Sequence, residues 1–336
     1  MLIPLNSDQI QQAIIKAIDF LHQNQLPYGE FKTYASANED LSNGEFDSSP
    51  YVTTFVLYSL SFWNDTKITE MTNKAIQFLL SEMEGAGLWR YWSSHHKSHT
   101  MLPPDIDDTS CISFALKMNG YPFPENKNII LASKNDEGIF YTWLLARPNI
   151  PIEISTKLSP LVKPEAFIYI TFWGVADNID CVVNANALLY LGESDQTQSV
   201  TNYLIRIITS QIENKSSIYI PNPLVIYYLV SRTYLNSVPS LIVIKELILT
   251  RIIAKQKASG NWGSNLETAL AICTMLNFNY YGPEVKQGIQ HLLNTQNPDS
   301  SWSRFPMFLG PAPYYGSEEL TTALAVEALA RYLKSQ

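Results

Sequence analysis

The sequence predicts an all-α protein, an (α/α)6 barrel in which six outer helices surround six inner helices. Two observations lead to this prediction. A short pattern recurs six times along the 336 residues: an amphipathic segment, a small residue, any residue and an aromatic residue. A more apolar segment of helical length follows each copy. Because amphipathic helices bury one face and apolar helices are buried all round, six such pairs can close into a ring with the apolar helices inside.

The repeats define the outer helices in order along the chain. Residues 16–31 and residues 74–89 match each other with identical spacing, and the template then finds four further copies. In each copy a small, turn-permissive residue ends the amphipathic helix, and the aromatic residue that follows packs back on the scaffold. The fourth copy, which ends in Ser217-Ile218-Tyr219, matches the pattern least. The six copies end at Phe31, Trp89, Phe140, Tyr219, Trp262 and Trp302.

The inner helices are predicted from the apolar segments that follow the repeats. These segments are residues 51–63, 105–118, 180–191, 223–234, 265–276 and 318–333. In such a ring the inner helices all run in the same direction, so their N-termini meet at one end. That end is rich in acidic and hydroxyl residues, whereas the bore below it is apolar. The shape suits a long hydrophobic substrate with a reactive head.

One insertion, at about residues 141–177, separates the third outer helix from its inner partner. Four prolines interrupt it, at positions 148, 151, 160 and 164. Since proline breaks regular structure, we predict a loop over one mouth of the barrel. No change of composition marks a linker or a second domain, so residues 1–336 are predicted to form a single domain.

Three acidic residues mark the start of the second inner helix, in the run Asp105-Ile106-Asp107-Asp108-Thr109. Two prolines precede the run and end the upstream structure. Asp105 and Asp108 share a helix face, whereas Asp107 points to another side. Acids in a first turn can simply cap a helix. Alternatively, crowded carboxyl groups raise one another's pKa, which would provide a proton donor.

The repeat and the acidic run together resemble those of a known family. The repeat, with its Gln25 and Trp89 positions, resembles the QW repeat of squalene–hopene cyclases and related class II terpene cyclases, and the acidic run resembles their Asp-x-Asp-Asp-Thr motif. The resemblance implies that Asp107 is the Brønsted acid that protonates a terminal alkene or epoxide of a polyprenyl chain. It implies that Asp105 and Asp108 hold Asp107 protonated while carbocations close the rings.

The resemblance also indicates a substrate class. Members of the family usually have two or three helical domains, whereas this chain has residues for one. It therefore resembles the single-domain meroterpenoid cyclases of cyanobacteria, which act on a prenylated aromatic acid such as geranylgeranylated dihydroxybenzoate. A polyprenyl diphosphate or alcohol is the alternative substrate. No cofactor is implied, and the lack of an Asp-Asp-x-x-Asp run in the sequence argues against a Mg²⁺-dependent ionisation.

Aromatic residues near the predicted mouth are candidates to stabilise such cations through their ring faces. The candidates are Tyr141, Trp143, Tyr169, Phe172 and Trp173 of the insertion, and Tyr314 and Tyr315 before the last inner helix. Polar residues at the start of the third inner helix, Asp180, Asn184 and Asn186, either bond to neighbouring helices or form a polar binding spot. Four cations are candidates to bind a substrate carboxylate: Arg147, Lys163, Arg232 and Arg304.

Composition excludes several function classes. The net charge of −8 argues against a nucleic-acid partner, which requires a basic surface. His95, His96 and His99 form either a metal site or a polar loop in which one histidine bonds an acid; we favour the loop and expect no metal. We predict that the three cysteines are buried thiols. With no secretory leader or membrane span expected, we predict a cytoplasmic protein, with attachment to a membrane surface left open.

Other functions are compatible with the predicted barrel. Glycosidases with (α/α)6 barrels use two separated carboxylates in a wide polar cleft, but these inner helices are apolar. Protein prenyltransferase β-subunits bind zinc through Asp, Cys and a downstream His, a spacing that Asp180, Cys181 and His291 do not match. A non-catalytic, ring-shaped binding module is the third alternative.

Overall fold

The repeats and the apolar segments alternate as the helices of one barrel. The computed structural model describes residues 5–308 and 313–336. Its α-helices are α1 (Ser7–Asn24), α2 (Pro50–Leu60), α3 (Thr66–Ser81), α4 (Ile106–Met118), α5 (Lys127–Ala132), α6 (Ile152–Leu158), α7 (Pro164–Phe172), α8 (Cys181–Leu191), α9 (Gln198–Thr209), α10 (Pro223–Asn236), α11 (Lys245–Lys255), α12 (Asn265–Asn277), α13 (Pro283–Asn294) and α14 (Glu318–Lys334).

The predicted (α/α)6 barrel is confirmed. Helices α2, α4, α8, α10, α12 and α14 coincide with the six predicted inner segments, and nearly all of their residues are buried. Helices α1, α3, α5, α9, α11 and α13 form the outer layer and bury one face each, as their amphipathic sequences require. No helix among the described residues is both long enough and apolar enough to cross a membrane.

The repeat residues connect one helix pair to the next. The side chain of Gln25 donates to the carbonyl of Met71 on α3, which is the next outer helix. Gln296 donates to the carbonyl of Ala13 on α1 and so closes the ring. The backbone N–H of the repeat aromatic binds a side-chain oxygen near the start of the following inner helix in five copies. These oxygens belong to Thr53, Thr109, Asn184, Thr268 and Thr322.

A small antiparallel sheet joins the segments before α2 and α14. Its strands are β1 (Tyr34–Ser36), β2 (Glu45–Phe46) and β3 (Tyr314–Gly316), in the order β2-β1-β3. Because α2 begins at Pro50 and α14 begins at Glu318, the sheet lies at the end of the barrel where the inner helices begin.

The insertion differs from the predicted loop, because it contains the helices α6 and α7. Its prolines precede or start helical segments instead of only breaking structure: Pro151 is the N-cap residue of α6, and Pro164 is the first residue of α7. Proline suits these positions because the first helical N–H groups have no partner within the helix. The start of the insertion pairs with the acidic turn, since the backbone of Ile106 donates to Thr142 and that of Leu144 donates to Pro104.

Candidate active site

A cavity of about 430 Å³ opens at the end of the barrel where the inner helices begin. This volume lies within the range of small-molecule sites. The three acids of the motif, Asp105, Asp107 and Asp108, all line it. Most of the remaining wall is aromatic or aliphatic. The aromatic residues of the wall are Tyr51, Tyr91, Trp92, Trp143, Tyr169, Trp173, Tyr219, Phe308 and Tyr315.

Asp105 and Asp108 are tied to each other at the start of α4. Asp105 is the N-cap residue, and its Oδ1 accepts from the backbone N–H of Asp108 at 2.8 Å. The other oxygen of Asp105 and the Oδ1 of Asp108 are buried without a hydrogen-bond partner. Asp105 therefore caps the helix, as one of the two interpretations predicted. Capping does not account for the two buried carboxyl oxygens without partners, because buried polar atoms are normally hydrogen-bonded.

Asp107 contacts a second inner helix instead of capping its own. The amide nitrogen of Asn186, on α8, donates to Asp107 Oδ1 at 2.7 Å. The amide oxygen of Asn186 accepts from the guanidinium of Arg232, on α10, at 2.7 Å. Because a guanidinium only donates, Arg232 fixes the orientation of the amide so that its NH₂ group faces Asp107. The guanidinium itself is buried and lies 4.6 Å from the ring centre of Phe55.

Burial raises the pKa of all three acids. It raises that of Asp107 to about 6, although hydrogen bonds from Asn186 and Tyr51 and the charge of Arg232 lower it in part. Burial and the charge of Asp107 raise the pKa of Asp105 to about 7. The pKa of Asp108 is raised well above its ordinary value by burial and by both neighbouring acids. Three carboxyl groups in one buried volume cannot all ionise near neutral pH, so the cluster retains protons.

Four of the seven aromatic candidates predicted from sequence line the cavity: Trp143, Tyr169, Trp173 and Tyr315. The wall does not include the other three aromatic candidates. The side chain of Phe172 is 81% exposed, because it lies on the outer face of α7. Tyr141 packs against Arg147, whose guanidinium carbon lies 3.9 Å from the centre of the Tyr141 ring. Tyr314 belongs to β3 and alternates with Tyr315, so it faces away from the cavity.

Of the two interpretations left open for Asp180 and Asn184, their hydrogen bonds favour the structural one. Asn184 accepts from the backbone N–H of Phe140 and donates to its carbonyl, both at 3.0 Å. It therefore takes the place that threonine holds in other repeats. Asp180 caps α8 through Val182 and accepts from the backbone of Ile218. Of the three polar candidates, Asn186 is the one that contacts an acid of the motif, Asp107.

The histidine loop contacts other acids than the three of the motif. His96 lies 3.2 Å from Asp47, and His99 lies 3.6 Å from Glu84. Across residues 5–308 and 313–336, no three His, Cys, Asp or Glu side chains are placed to hold a metal ion. All three cysteines are buried free thiols, as predicted.

Sequence reasoning missed most of the wall outside the insertion. Tyr91 and Trp92 lie two and three residues after the end of the second repeat, and Tyr51 lies in the first turn of an inner helix. Their closeness to the predicted helix starts was the available signal. Arg232 was a candidate for a substrate carboxylate, but it is buried beneath Asn186. Tyr219 lines the cavity with an unpartnered hydroxyl.

Comparisons with known proteins support the fold. No family model matches the chain, and no curated protein matches it significantly. Among solved structures, the type II terpene cyclase MstE from Scytonema superposes with a TM-score of 0.72 at 15% identity, covering 99% of this chain and 100% of that one. The ent-copalyl diphosphate synthase from Streptomyces platensis has a TM-score of 0.60 at 17% identity, covering 84% of this chain and 50% of that one.

A third solved structure is less similar and is described as belonging to another family. A possible member of the GH105 family from Salmonella enterica has a TM-score of 0.52 at 10% identity, with both chains covered completely. The chain thus shares its helical barrel with terpene cyclases and with a possible member of the GH105 family. The residues of the cavity, rather than the barrel, must distinguish between these functions.

Proposed function

We propose that this protein is a class II, proton-initiated terpene cyclase. Asp107 protonates the terminal alkene or epoxide of a polyprenyl chain, and the resulting cation closes successive rings. One observation carries the proposal: a half-buried carboxyl group, held by a neutral amide and flanked by two fully buried carboxyl groups, lines an aromatic cavity. A glycosidase would need separated carboxyl groups in a polar cleft, and here the three acids lie on one helical turn.

The contacts of Asp107 match the needs of a strong proton donor. The raised pKa keeps the proton on the cluster, and the donors around Asp107 stabilise the carboxylate that remains after the transfer. The Arg232 charge acts through the Asn186 amide and so does not neutralise the acid beforehand. The rings of Trp143, Tyr169 and Trp173 line the volume in which cations would form, and aromatic faces stabilise cations without trapping them.

We further propose a prenylated aromatic acid, such as geranylgeranylated dihydroxybenzoate, as the substrate. This rests on MstE, variants of which have been solved in complex with geranylgeranyl dihydroxybenzoate and with merosterolic acid A. A polyprenyl diphosphate or alcohol is the alternative, because a copalyl diphosphate synthase shares the barrel. The three carboxyl groups in the wall disfavour a diphosphate close to them, since like charges repel.

The experiment compares wild type with Asp107→Asn on geranylgeranyl dihydroxybenzoate, geranylgeraniol and geranylgeranyl diphosphate. Cyclisation without loss of atoms gives a product of unchanged mass and new retention time, so chromatography with mass detection follows it. We expect wild type to form such a product and Asp107→Asn to form none. Asp177→Asn is the matched control, because Asp177 lies in the insertion with its side chain 81% exposed. Equal turnover by Asp107→Asn and wild type would contradict the mechanism.

A lipid-soluble substrate also suggests contact with a membrane surface. Helix α7 exposes Phe167, Ile168 and Phe172, and Trp173 at its end is 62% exposed although it also lines the cavity. Such side chains enter the interface of a bilayer readily. We expect the protein to float with liposomes and the variant Phe167→Ser/Phe172→Ser to float less. Equal flotation would remove this part of the proposal.

A further inference from the structure

The cation cascade of the proposed function must end with the loss of a proton to a base in the cavity wall. Such a base needs an oxygen that faces the cavity and an acceptor for any proton it already carries. Five tyrosines line the cavity: Tyr51, Tyr91, Tyr169, Tyr219 and Tyr315. In the part of the chain that the structure describes, Tyr91 is the one of these whose hydroxyl donates to a carboxylate outside the acidic motif.

The acceptor is Asp47, which lies behind the cavity wall before α2. Its Oδ2 accepts from the Tyr91 hydroxyl at 3.2 Å, and its Oδ1 accepts from the Trp92 indole at 3.2 Å. Nε2 of His96 lies 3.2 Å from the same Oδ1. The imidazole stacks on the Trp92 ring, with 5.0 Å between ring centres. The ring of Tyr91 is itself fixed by edge contacts with Phe308 and Tyr315.

These contacts form a continuous path from the cavity to the outside. Tyr91 lines the cavity, Asp47 is buried, and the side chain of His96 is 13% exposed. Burial raises the pKa of Asp47, which the neighbouring His96 lowers in part, so this carboxyl group can hold a proton for a time. Histidine exchanges protons near neutral pH. The path therefore has a donor and acceptor at each step.

We propose that Tyr91 takes the final proton of the cascade and passes its own hydroxyl proton to Asp47. A C–H bond next to the last cation breaks, and its electron pair becomes the new C=C bond. The released proton binds the Tyr91 oxygen while the original phenolic proton moves to Asp47 Oδ2. Each turnover thus moves one proton from Asp107 to Asp47, and exchange with solvent, through His96 on the Asp47 side, restores both groups.

Because the Tyr91 phenol lies between Asp47 and the cavity, Asp47 can accept the proton without bonding to the cation. A carboxylate in direct contact with a carbocation can bond to its carbon, but Asp47 does not line the cavity. Tyr219 is less suited, because its buried hydroxyl has no partner to receive its proton. Tyr51 lies beside Asp107 and belongs to the initiating end, since the Asn186 amide is 3.4 Å from its hydroxyl.

The test compares the products of wild type, Tyr91→Phe and Asp47→Asn on the substrate that wild type converts. Initiation by Asp107 remains in both variants, so the substrate is still consumed, but the last cation loses a different proton or captures water. We expect the ratio of the main alkene to all other products to fall at least about tenfold in Tyr91→Phe. Reaction in H₂¹⁸O would label any alcohol formed by water capture.

Asp47 acts through Tyr91, so a double variant separates its role from a structural one. Tyr91→Phe/Asp47→Asn should give the same product ratio as Tyr91→Phe alone. Tyr314→Phe removes a phenol from β3 outside the cavity wall and should keep the wild-type ratio. If circular dichroism shows that Tyr91→Phe does not fold, the ratio of the main alkene to all other products in Asp47→Asn tests the proposal instead.

The outcomes distinguish this proposal from the function on which it rests. If wild type cyclises the substrate and folded Tyr91→Phe gives the wild-type product ratio, the base assignment is overturned and the cyclase function stands. If wild type cyclises no substrate of the panel, the proposed function fails and the base assignment fails with it.

Discussion

Carboxyl groups lie at both ends of the inner helices, and they differ in their partners. Towards the C-terminal ends of the inner helices, Glu327 lies 3.0 Å from the guanidinium of Arg331 and accepts from Ser59 and Tyr228, both at 2.9 Å. At the opposite end, Asp107 accepts from a neutral amide. Glu327 is fully buried, whereas Asp107 is half-buried and lines the cavity, so the two carboxyl groups differ in burial as well as in their partners.

The difference lies in where the positive charge stands. Arg331 contacts its carboxylate directly, which makes an ion pair that joins α14 to α12 through Asn277. Arg232 is separated from Asp107 by the Asn186 side chain. A direct cation favours the ionised carboxylate, whereas two neighbouring acids disfavour it. We infer that Arg331 balances the charge of Glu327, whereas Arg232 orients the Asn186 amide that donates to Asp107.

Exchange of each acid for its amide should separate the two roles most strongly. Glu327→Gln leaves the Arg331 guanidinium without its counter-charge, so we expect the free energy of unfolding to fall by about 3–5 kcal/mol. Asp107→Asn removes a charge that has no direct cation, so its stability should equal or exceed that of wild type. Its turnover should fall by about 10³-fold or more. Denaturant unfolding and initial rates measure both effects; a less stable Asp107→Asn would refute the contrast.

Two asparagines on α8 offer the same contrast at smaller scale. Asn186→Ala should lower the turnover of folded enzyme by about 10–100-fold, because Asp107 loses a positioned donor. Asn184→Ala should retain the turnover per folded molecule but lower the free energy of unfolding by about 1–3 kcal/mol, because Phe140 loses its side-chain partners. Circular dichroism measures the folded fraction of each variant, and the rates are divided by the concentration of folded protein. Equal rates in the two variants would contradict the assignment of Asn186.

The pH dependence should distinguish the acidic cluster from the ion pair. The donor must carry its proton, and burial raises the pKa of Asp107 to about 6 and that of Asp105 to about 7. The initial rate should therefore fall as pH rises through 6 to 7, by about tenfold for each unit above the operative pKa. A rate that rises with pH over this range would show that the ionised form is active.

The same shift of pKa links protonation to stability. Because the folded state binds these protons more tightly than the unfolded chain, their stabilising contribution is complete below a pH of about 4 and is lost as pH rises through 6 to 7. Asp107→Asn removes one of the carboxyl groups that bind these protons. Its free energy of unfolding should therefore fall less than that of wild type between pH 4 and 8, as urea titrations at each pH would measure. Parallel curves would contradict the raised pKa.

The smallest expected effect concerns two adjacent aromatic residues at the mouth. Trp173 lines the cavity, whereas Phe172 points outwards. Trp173→Ala should raise KM by about threefold, because a partly exposed ring contributes about 0.5–1 kcal/mol to cation or apolar contacts. Phe172→Ala should leave KM unchanged in detergent-solubilised substrate. An equal rise of KM in both variants would indicate that the outer face of α7 also binds substrate.

The helical barrel and the location of the acids were predictable because both depend on local patterns. Apolar periodicity reports which face a helix buries, and a proline pair followed by Asp105 defines a helix start whatever the neighbours are. The insertion was mispredicted as a loop, because its prolines also suit the first positions of helices. Its aromatic residues were therefore assigned to the cavity as a group, although α7 turns Phe172 outwards and Trp173 towards the opening.

The sequence alone determined the sixfold repeat, the inner and outer helices and the turn that holds the three acids, since each follows from residues close together in the chain. Only the tertiary structure decided which asparagine meets Asp107, where Arg232 places its charge, and that Tyr91 reaches Asp47. These contacts join residues 44 or more positions apart. They depend on the rotation of each inner helix about its axis, which packing around the whole ring fixes and no local pattern records.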